Sequence, residues 1–180
     1  MAAEAGELRP EVEIRRLGAR EVEAHVDGLA GVLLDCVEGG ASVSYMAPFS
    51  HGDAVEAFRA VAAEVEQGQR LLLAAFAGED VVGTVQVNLA TPPNQPHRGE
   101  ILKLLVRRSA RGRGVGERLM VEAERAARAA GRTLLVLDTA SDAAERLYER
   151  LGWTRLGVIP GYALYPDGSP CDTTVFWKAI

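Results

Sequence analysis

The chain has 180 residues, of which 48% are hydrophobic and 25% are charged. A chain of this length can bury a core without disulfides or a structural metal. Its net charge of −5 at pH 7 argues against a general nucleic-acid binder, which usually presents a broadly basic face. The histidines are not closely paired, and Cys36 and Cys171 lack metal-ligand spacing. We therefore expect no metal site and two reduced thiols.

Neither a membrane segment nor a secretion signal is predicted. No apolar run approaches the roughly 18 residues of a membrane span, and residues 1–10 lack the basic-then-apolar layout of a signal peptide. We therefore expect a cytoplasmic protein that binds neither membrane nor nucleic acid. Residues 1–10 are expected to form a flexible tail, and residues 11–180 a single domain, because no linker or internal repeat divides them.

Apolar residues alternate in some segments and recur every three or four residues in others, which distinguishes strands from helices. In chain order, the first half is predicted to contain a strand at 12–17, helices at 20–37 and 53–67, and strands at 70–77 and 81–90. Asp53 is the candidate N-cap of the second helix. The segment 39–50 between the helices is predicted to be a loop, and Gly78-Glu79-Asp80 a hairpin turn.

The second half of the chain alternates strands with helices. It is predicted to contain strands at 100–107 and 133–138, helices at 114–130 and 143–151, and strands at 153–158 and 172–178. The continuous apolar run 134–137 is typical of a strand buried on both faces. Residues 100–138 then form a right-handed βαβ unit with parallel strands. This order of elements predicts an α/β layer structure with a mixed sheet.

A turn rich in glycine and arginine, Arg111-Gly112-Arg113-Gly114-Val115-Gly116, joins the strand at 100–107 to the next helix. Glycines let a ligand approach the backbone closely, and a helix N-terminus offers unpaired N–H groups at its positive end. The turn therefore predicts a cradle for a phosphorylated ligand, assisted by Arg107, Arg108, Arg111 and Arg113. A P-loop is excluded because no Gly-Lys-Ser or Gly-Lys-Thr occurs. The dinucleotide pattern G-x-G-x-x-G fails because its third glycine, counted from Gly112, would be Glu117.

The turn matches the [QR]-x-x-G-x-[GA] motif of the GNAT acetyltransferase superfamily. About 30 residues further on, a second motif of that superfamily, A-x-x-L-Y-x-x-x-G-[FW], is matched by Ala144, Leu147, Tyr148, Gly152 and Trp153. The chain therefore resembles this superfamily. It is most similar to the tabtoxin-resistance acetyltransferases, through residues 39–46, 109–114, 137–139, 160–162 and 166–168.

The resemblance implies a fold, an activity and a cosubstrate. The implied fold is a three-layer α+β arrangement with a mixed, mostly antiparallel central sheet and helices on both faces. The implied activity is N-acetyl transfer from acetyl-CoA to a small amine, amino-acid-like or antibiotic-like. Two alternatives stay open, a peptide or protein amine as acceptor and a CoA-binding regulatory module without turnover.

The resemblance also implies which residues hold acetyl-CoA. Backbone N–H groups of the turn would bind the pyrophosphate. The strand end at 104–106 would splay from the next strand, freeing main-chain groups for the pantetheine arm and the thioester carbonyl. Ser141 stands where many relatives have an asparagine that contacts this arm. The expected cofactor-binding residues are Leu104, Leu105, Val106, Arg111, Gly112, Arg113, Gly114, Val115, Gly116, Ser141, Ala144 and Tyr148.

Two carboxylates are candidates for taking a proton from the amine, which is mostly protonated at pH 7 and must be neutral to attack. Alternation places Glu100 on one face with Leu102 and Leu104, toward the expected cleft. Asp138 ends a buried strand at the carboxyl edge, where α/β sheets place ligands. By the resemblance, Glu100 and Asp138 align with two carboxylates of the tabtoxin-resistance enzymes that are proposed to accept the proton of the amine. Glu100 could instead be a rim charge, and Asp138 a helix N-cap.

Tyr148 is the candidate acid that protonates the departing CoA thiolate. Its spacing with Ala144 places it on the inward face of the short helix, where a core tyrosine with a satisfied hydroxyl is the alternative. The loop at 39–49 offers Ser42, Ser44 and Tyr45 either as acceptor contacts or for packing against a helix. The aromatic-rich C-terminal strand would suit sheet pairing in a homodimer.

Overall fold

The computed structural model describes residues 11–180, and the tail predicted at 1–10 lies outside the described residues. Seven strands form one sheet in the order β1-β2-β3-β4-β5-β7-β6. Five of the six pairings are antiparallel and β4–β5 is parallel, which confirms the mixed, mostly antiparallel sheet. The strands are β1 (Val12–Leu17), β2 (Arg70–Ala77), β3 (Asp80–Asn88), β4 (Arg98–Val106), β5 (Leu134–Thr139), β6 (Thr154–Leu164) and β7 (Pro170–Ala179).

Helices cover both faces of the sheet. They are α1 (Ala19–Ala24), α2 (Val26–Glu38), α3 (His51–Glu66), α4 (Val115–Ala129) and α5 (Asp142–Arg150). Because strand side chains alternate between faces, Leu71 and Leu73 of β2 join the core formed with α4 and α5. Leu72 and Phe76 join the core formed with α1, α2 and α3. In the part of the chain that the structure describes, no helix has both the length and the apolar character needed to cross a bilayer.

Two differences from the predicted helices exceed a shift of one residue at an end. The helix expected at 20–37 is broken at His25, which leaves helical geometry (φ −110°, ψ 14°) and packs its ring edge-on against Phe76 at 5.0 Å. Asp53 is not an N-cap. Ser50 is the cap, because its hydroxyl accepts from the Asp53 backbone N–H at 3.2 Å and the Asp53 carboxylate accepts from the Ser50 N–H at 2.8 Å. This reciprocal capping box starts α3 two residues earlier than predicted.

The last two strands are longer than the sequence prediction. β6 continues through Pro160 to Leu164, where a loop was expected, and its pairing with β7 shifts register between Ile159 and Ala163. Because β6 is the outer strand of the sheet, the missing N–H of Pro160 is tolerated. Gly161 adopts φ +60° at the irregularity, and its N–H donates to the Asp172 carboxylate at 2.8 Å.

The parallel strands β4 and β5 separate after three residue pairs. Their pairing covers 98–100 of β4 and 134–136 of β5, after which β4 stays paired with β3 and β5 with β7. The predicted splay of the strand at 104–106 is therefore confirmed. Between Leu102 and Leu105, β4 also carries one extra residue relative to β3, and Lys103 there has φ +50°. The splay opens a cleft, and the bulge re-aims the side chains that line it.

Candidate active-site cleft

A cleft of about 1100 Å³ lies between the diverging ends of β4 and β5. Its walls come from β4, the glycine turn, the end of β5 with the start of α5, the loop after α2, and β6. The predicted site residues that line it are Leu104, Leu105, Val106, Arg111, Gly112, Gly114, Val115, Gly116, Asp138, Ser141, Ala144 and Tyr148. Arg113 and Glu100 are not among the lining residues.

The glycine turn forms one end of the cleft, which we call the donor end. Gly112 and Gly114 have φ of +72° and +74°, which L side chains rarely adopt, and a Cβ on either would meet no protein atom within 4 Å. A Cβ on Gly116 would instead lie 3.3 Å from Leu147 Cδ2, so this glycine permits close packing of α4 and α5. Open space beside the turn backbone suits a ligand that approaches closely.

Free backbone donors face this open space at the start of α4. Within residues 11–180, no hydrogen-bond acceptor receives the N–H groups of residues 112–117. These donors lie at the positive end of the helix dipole. The donor end therefore fits an anionic group such as a pyrophosphate.

The arginines around the turn do not all face the cleft. Arg111 lines it, and its Nε donates to the Val106 carbonyl at 3.1 Å. Arg107 donates to the Val81 carbonyl at 2.9 Å, and Arg108 donates to Asp35 from its backbone N and its Nε at 2.7 and 2.9 Å. The expectation that Arg107 and Arg108 assist the phosphates is therefore wrong, because their guanidinium groups fasten the turn to β3 and α2.

The pKa of Asp35 agrees with a structural role for Arg108. Partial burial acts to raise the pKa of Asp35, but the hydrogen bonds and charge of Arg108 hold that pKa below its usual value. The carboxylate therefore stays ionised and paired.

The two candidate bases lie at different places. Glu100 pairs with Val136, and this is the last residue pair before β4 and β5 diverge. The bulge of β4 lies beyond Glu100 and interrupts the alternation of side chains from which we expected Glu100 to face the cleft. Asp138 lies two residues beyond Val136, on the cleft wall. Withdrawal from solvent raises the pKa of Asp138, and the Lys103 ammonium partly offsets this effect.

Asp138 is not the cap of the following helix. Ser141 is the N-cap of α5, and its Oγ accepts from the Ala144 N–H at 3.4 Å. Because Ser141 caps α5, Asp138 is not its N-cap, and the Ser141 hydroxyl oxygen already accepts one hydrogen bond. The Asp138 carboxylate therefore does not stabilise the N-terminus of α5.

Tyr148 lies on the inward face of α5 and lines the cleft. It is 4% exposed, and its ring packs near Trp153 and Phe176 with centroid separations of 6.0 and 5.6 Å. Among residues 11–180 its hydroxyl has no hydrogen-bond partner, unlike the satisfied core tyrosine considered as the alternative. Burial, followed by the negative charge of Asp138, raises the pKa of Tyr148, so the phenol keeps its proton at neutral pH.

Lys103 is a site residue that the sequence reasoning missed. Its Nζ donates to Ser44 Oγ at 2.6 Å and lies 5.4 Å from the centroid of the Tyr45 ring. Desolvation lowers the pKa of Lys103, and the charge of Asp138 partly opposes the shift. A lone lysine within the apolar run 101–106 was the available signal, but strand alternation alone does not reveal the bulge that brings it to the cleft wall.

The loop after α2 closes the other end of the cleft, which we call the acceptor end. Ser42 Oγ donates to the Leu164 carbonyl at 2.8 Å, and the Ala47 N–H donates to the Pro166 carbonyl at 2.9 Å. The loop is therefore fastened to the β6–β7 hairpin. Tyr45 packs against Phe49 with ring centroids 4.6 Å apart, and Ser44 lines the cleft.

A family-level comparison agrees with this geometry. A model of the acetyltransferase (GNAT) family matches residues 41–153, from the loop after α2 to the end of the Tyr148 motif. The chain is a member of the GNAT acetyltransferase family. Membership supports an acyltransferase that uses acetyl-CoA.

Solved structures share the fold of this GNAT acetyltransferase. A ribosomal-protein-alanine N-acetyltransferase from Brucella melitensis is 22% identical, with a TM-score of 0.78 over 93% of this chain and 99% of that chain. A candidate acetyltransferase from Salmonella typhimurium, solved with its cofactor acetyl-CoA, is 18% identical, with a TM-score of 0.76 over 93% of both chains. A candidate phosphinothricin N-acetyltransferase is 21% identical, with a TM-score of 0.73 over 94% of this chain and 98% of that chain.

Proposed function

We propose that this GNAT acetyltransferase is an N-acetyltransferase that moves the acetyl group of acetyl-CoA to the primary amine of an amino-acid-like or antibiotic-like small molecule. Residues 11–180 form its single catalytic domain. The observation that carries the proposal is one continuous cleft that joins the glycine turn to Asp138 and Tyr148. Transfer occurs by direct attack while both substrates are bound.

The donor end holds acetyl-CoA mainly through backbone groups. The free N–H groups of residues 112–117 bind the pyrophosphate, with Arg111 and Arg113 adding positive charge. The edge of β4 at 104–106, which β5 leaves unpaired, binds the pantetheine arm and polarises the thioester carbonyl. Ser141 and Ala144 at the start of α5 form the opposite wall.

Chemistry takes place between Asp138 and Tyr148. Asp138 accepts a proton from the substrate ammonium, directly or through water, and the neutral nitrogen attacks the thioester carbon. A C–N bond forms, the C–S bond breaks, and Tyr148 gives its proton to the departing CoA sulfur. The nitrogen then loses a second proton to become the amide, and that proton restores the Tyr148 phenol through water. The raised pKa of Asp138 supports this role, since a more basic carboxylate takes the proton more readily. Glu100, at the apex of the splay, is the alternative base acting through water.

The acceptor end favours a small molecule over an extended peptide. The loop after α2 is hydrogen-bonded to the β6–β7 hairpin at Leu164 and Pro166, which closes one side of the cleft. A polypeptide that runs through the site would require this connection to open. A peptide amine is the second candidate, and an acceptor panel distinguishes the two.

We also propose a cytoplasmic homodimer. The free thiols of Cys36 and Cys171 suit a reducing compartment. The edge strand β6 exposes apolar side chains, with Leu156 72% and Tyr162 57% exposed, which suits pairing with a second copy. A dimer mass in sedimentation velocity supports this assembly, and a monomer mass at all concentrations contradicts it.

The activity is tested by release of the CoA thiol from acetyl-CoA across a panel of amines. The panel comprises amino acids, β-lactam-type dipeptide analogues, polyamines, aminoglycosides and a peptide with a free N-terminus. We expect release with amino-acid-like members. Release with the peptide alone would favour the second candidate. Silence across the panel, with acetyl-CoA still bound in calorimetry, would contradict the proposal and favour a regulatory module.

A further inference from the structure

The chain has two lysines, Lys103 and Lys178, and they differ in how they are paired. Lys178 Nζ lies 2.9 and 2.7 Å from the two carboxylate oxygens of Glu124 and 2.7 Å from the Leu151 carbonyl, so all its donors are used. Lys103 donates to one neutral group, the Ser44 hydroxyl. No carboxylate in residues 11–180 lies within 4.0 Å of its Nζ.

Lys103 combines an unfavourable backbone conformation with partial burial of its charge. It occupies the bulge of β4 with φ +50°, a region that favours glycine or asparagine. Its ammonium is partly withdrawn from solvent, which lowers the pKa of Lys103. Neighbouring Arg70 does not compensate, because it is cationic and hydrogen-bonds Glu64 and Gln86. A partly buried ammonium on a strained backbone, with no carboxylate in hydrogen-bond contact, is typical of a binding site.

An opposite charge faces the same cleft. Asp138 also lines it, and the two groups influence each other electrostatically without forming a salt bridge. One free anion and one free cation in a single cleft are complementary to a zwitterion. The ammonium of such a molecule would lie at Asp138, and its carboxylate at Lys103.

We propose that Lys103, assisted by the Ser44 hydroxyl, binds the carboxylate of the acceptor. The acceptor is then an amino acid, or a small peptide-like compound, with a free carboxylate close to the amine that is acetylated. This inference rests on the proposed N-acetyltransferase function and specifies its substrate class. Lys103 is a specificity-determining residue that recognises charge and takes no part in the proton transfers.

Matched acceptor pairs test the inference. We would measure kcat/KM for a panel of L-amino acids and small dipeptides and for the corresponding C-terminal amides. The wild-type protein should prefer the acids by at least about 10-fold, the value of one charge-assisted hydrogen bond. Lys103→Met should lower this preference by a similar factor, and Lys103→Arg should retain part of it. Arg125→Met removes an exposed charge from α4, outside the cleft, and should leave the preference unchanged.

Each contrary result has a distinct meaning. Acetylation of acids and amides at equal rates, or an unchanged preference in Lys103→Met, overturns the inference and leaves the proposed function intact. Loss of acetyl-CoA affinity in Lys103→Met, with the acid preference retained, would assign Lys103 to the donor and also overturns it. If the wild-type protein acetylates neither series, the inference is overturned, and the proposed function fails as well when no other amine of the panel is acetylated.

Discussion

The two ends of the cleft differ in whether main-chain groups or side chains face the ligand. The donor end consists of main chain, namely the N–H groups of residues 112–117 and the unpaired edge of β4. The acceptor end consists of side chains, namely Lys103, Asp138 and Ser44. Backbone donors recognise any pyrophosphate of the right shape, whereas side chains of opposite charge select among amines. We infer from this difference that acetyl-CoA binding follows from the fold, whereas the choice of amine follows from side chains particular to this chain.

The largest expected effect is at the donor end. Gly114→Asp places a negative charge at the pyrophosphate position, on a residue with φ +74°. Acetyl-CoA affinity should fall by roughly 100-fold, because charge-assisted contacts are replaced by repulsion. Calorimetric titration of acetyl-CoA measures this effect.

Gly131→Asp is a matched control for Gly114→Asp. Gly131 follows α4 with φ +78° and, like Gly114, has no protein atom near its ideal Cβ position, so its backbone penalty is similar. It does not line the cleft. A similar loss of acetyl-CoA affinity in both variants would attribute the effect to backbone strain and contradict the donor end as described.

Removal of the proposed base should have an effect of similar size on catalysis, with no loss of acetyl-CoA affinity. Asp138→Asn should lower kcat/KM for the acceptor by roughly 100-fold, as expected for loss of general base catalysis. Glu100→Gln, an equivalent change outside the cleft lining, should have a clearly smaller effect. Steady-state rates at saturating acetyl-CoA measure both, and the reverse order would assign the base to Glu100.

The pH dependence of the wild-type protein sharpens this test. A protonated carboxyl cannot accept a proton, so kcat/KM should fall as the pH falls through the pKa of Asp138. Because that pKa is raised, the fall should lie above the usual carboxylate range. Asp138→Asn should abolish this limb of the profile, and a limb that persists in the variant would belong to another group.

Tyr148→Phe should have a smaller effect, since a thiolate is a good leaving group and needs less assistance. We expect kcat to fall roughly 10-fold, less than general acid–base catalysis usually contributes, with little change in acetyl-CoA affinity. The free energy of unfolding should change little, because no protein hydrogen bond to the hydroxyl is lost among residues 11–180. An unchanged kcat would remove the acid role, and a clear loss of stability would indicate a structural hydroxyl.

The sequence predicted backbone features of this molecule better than side-chain placement. The bounds of β1 and β2 and the glycine turn follow from local patterns of apolar residues and glycine, whereas the splay of β4 was implied by the resemblance to the GNAT acetyltransferases. The bulge at Lys103 did not follow, because it is defined by the register of β4 against β3. The continuation of β6 through Pro160 was missed for the same reason, since only an edge position in the sheet allows it.

The contacts of the arginines beside the turn also could not be predicted from the sequence. Arg107 and Arg108 follow the strand as closely as Arg111, and composition alone cannot separate them. Their partners, the Val81 carbonyl and the Asp35 carboxylate, come from β3 and α2, which only the tertiary structure brings to the turn. Long-range contacts therefore decide which charges are free to bind a ligand.

We propose that the cleft transfers acetyl from a donor held by the backbone to an amine selected by side chains. Mass spectrometry of the acceptor after incubation with acetyl-CoA and the wild-type protein tests this transfer. We expect an acetyl group on the amine nitrogen of a carboxylate-bearing acceptor, in amounts equal to the CoA released. Release of CoA without an acetylated amine would indicate hydrolysis of the thioester and would contradict the proposed transfer.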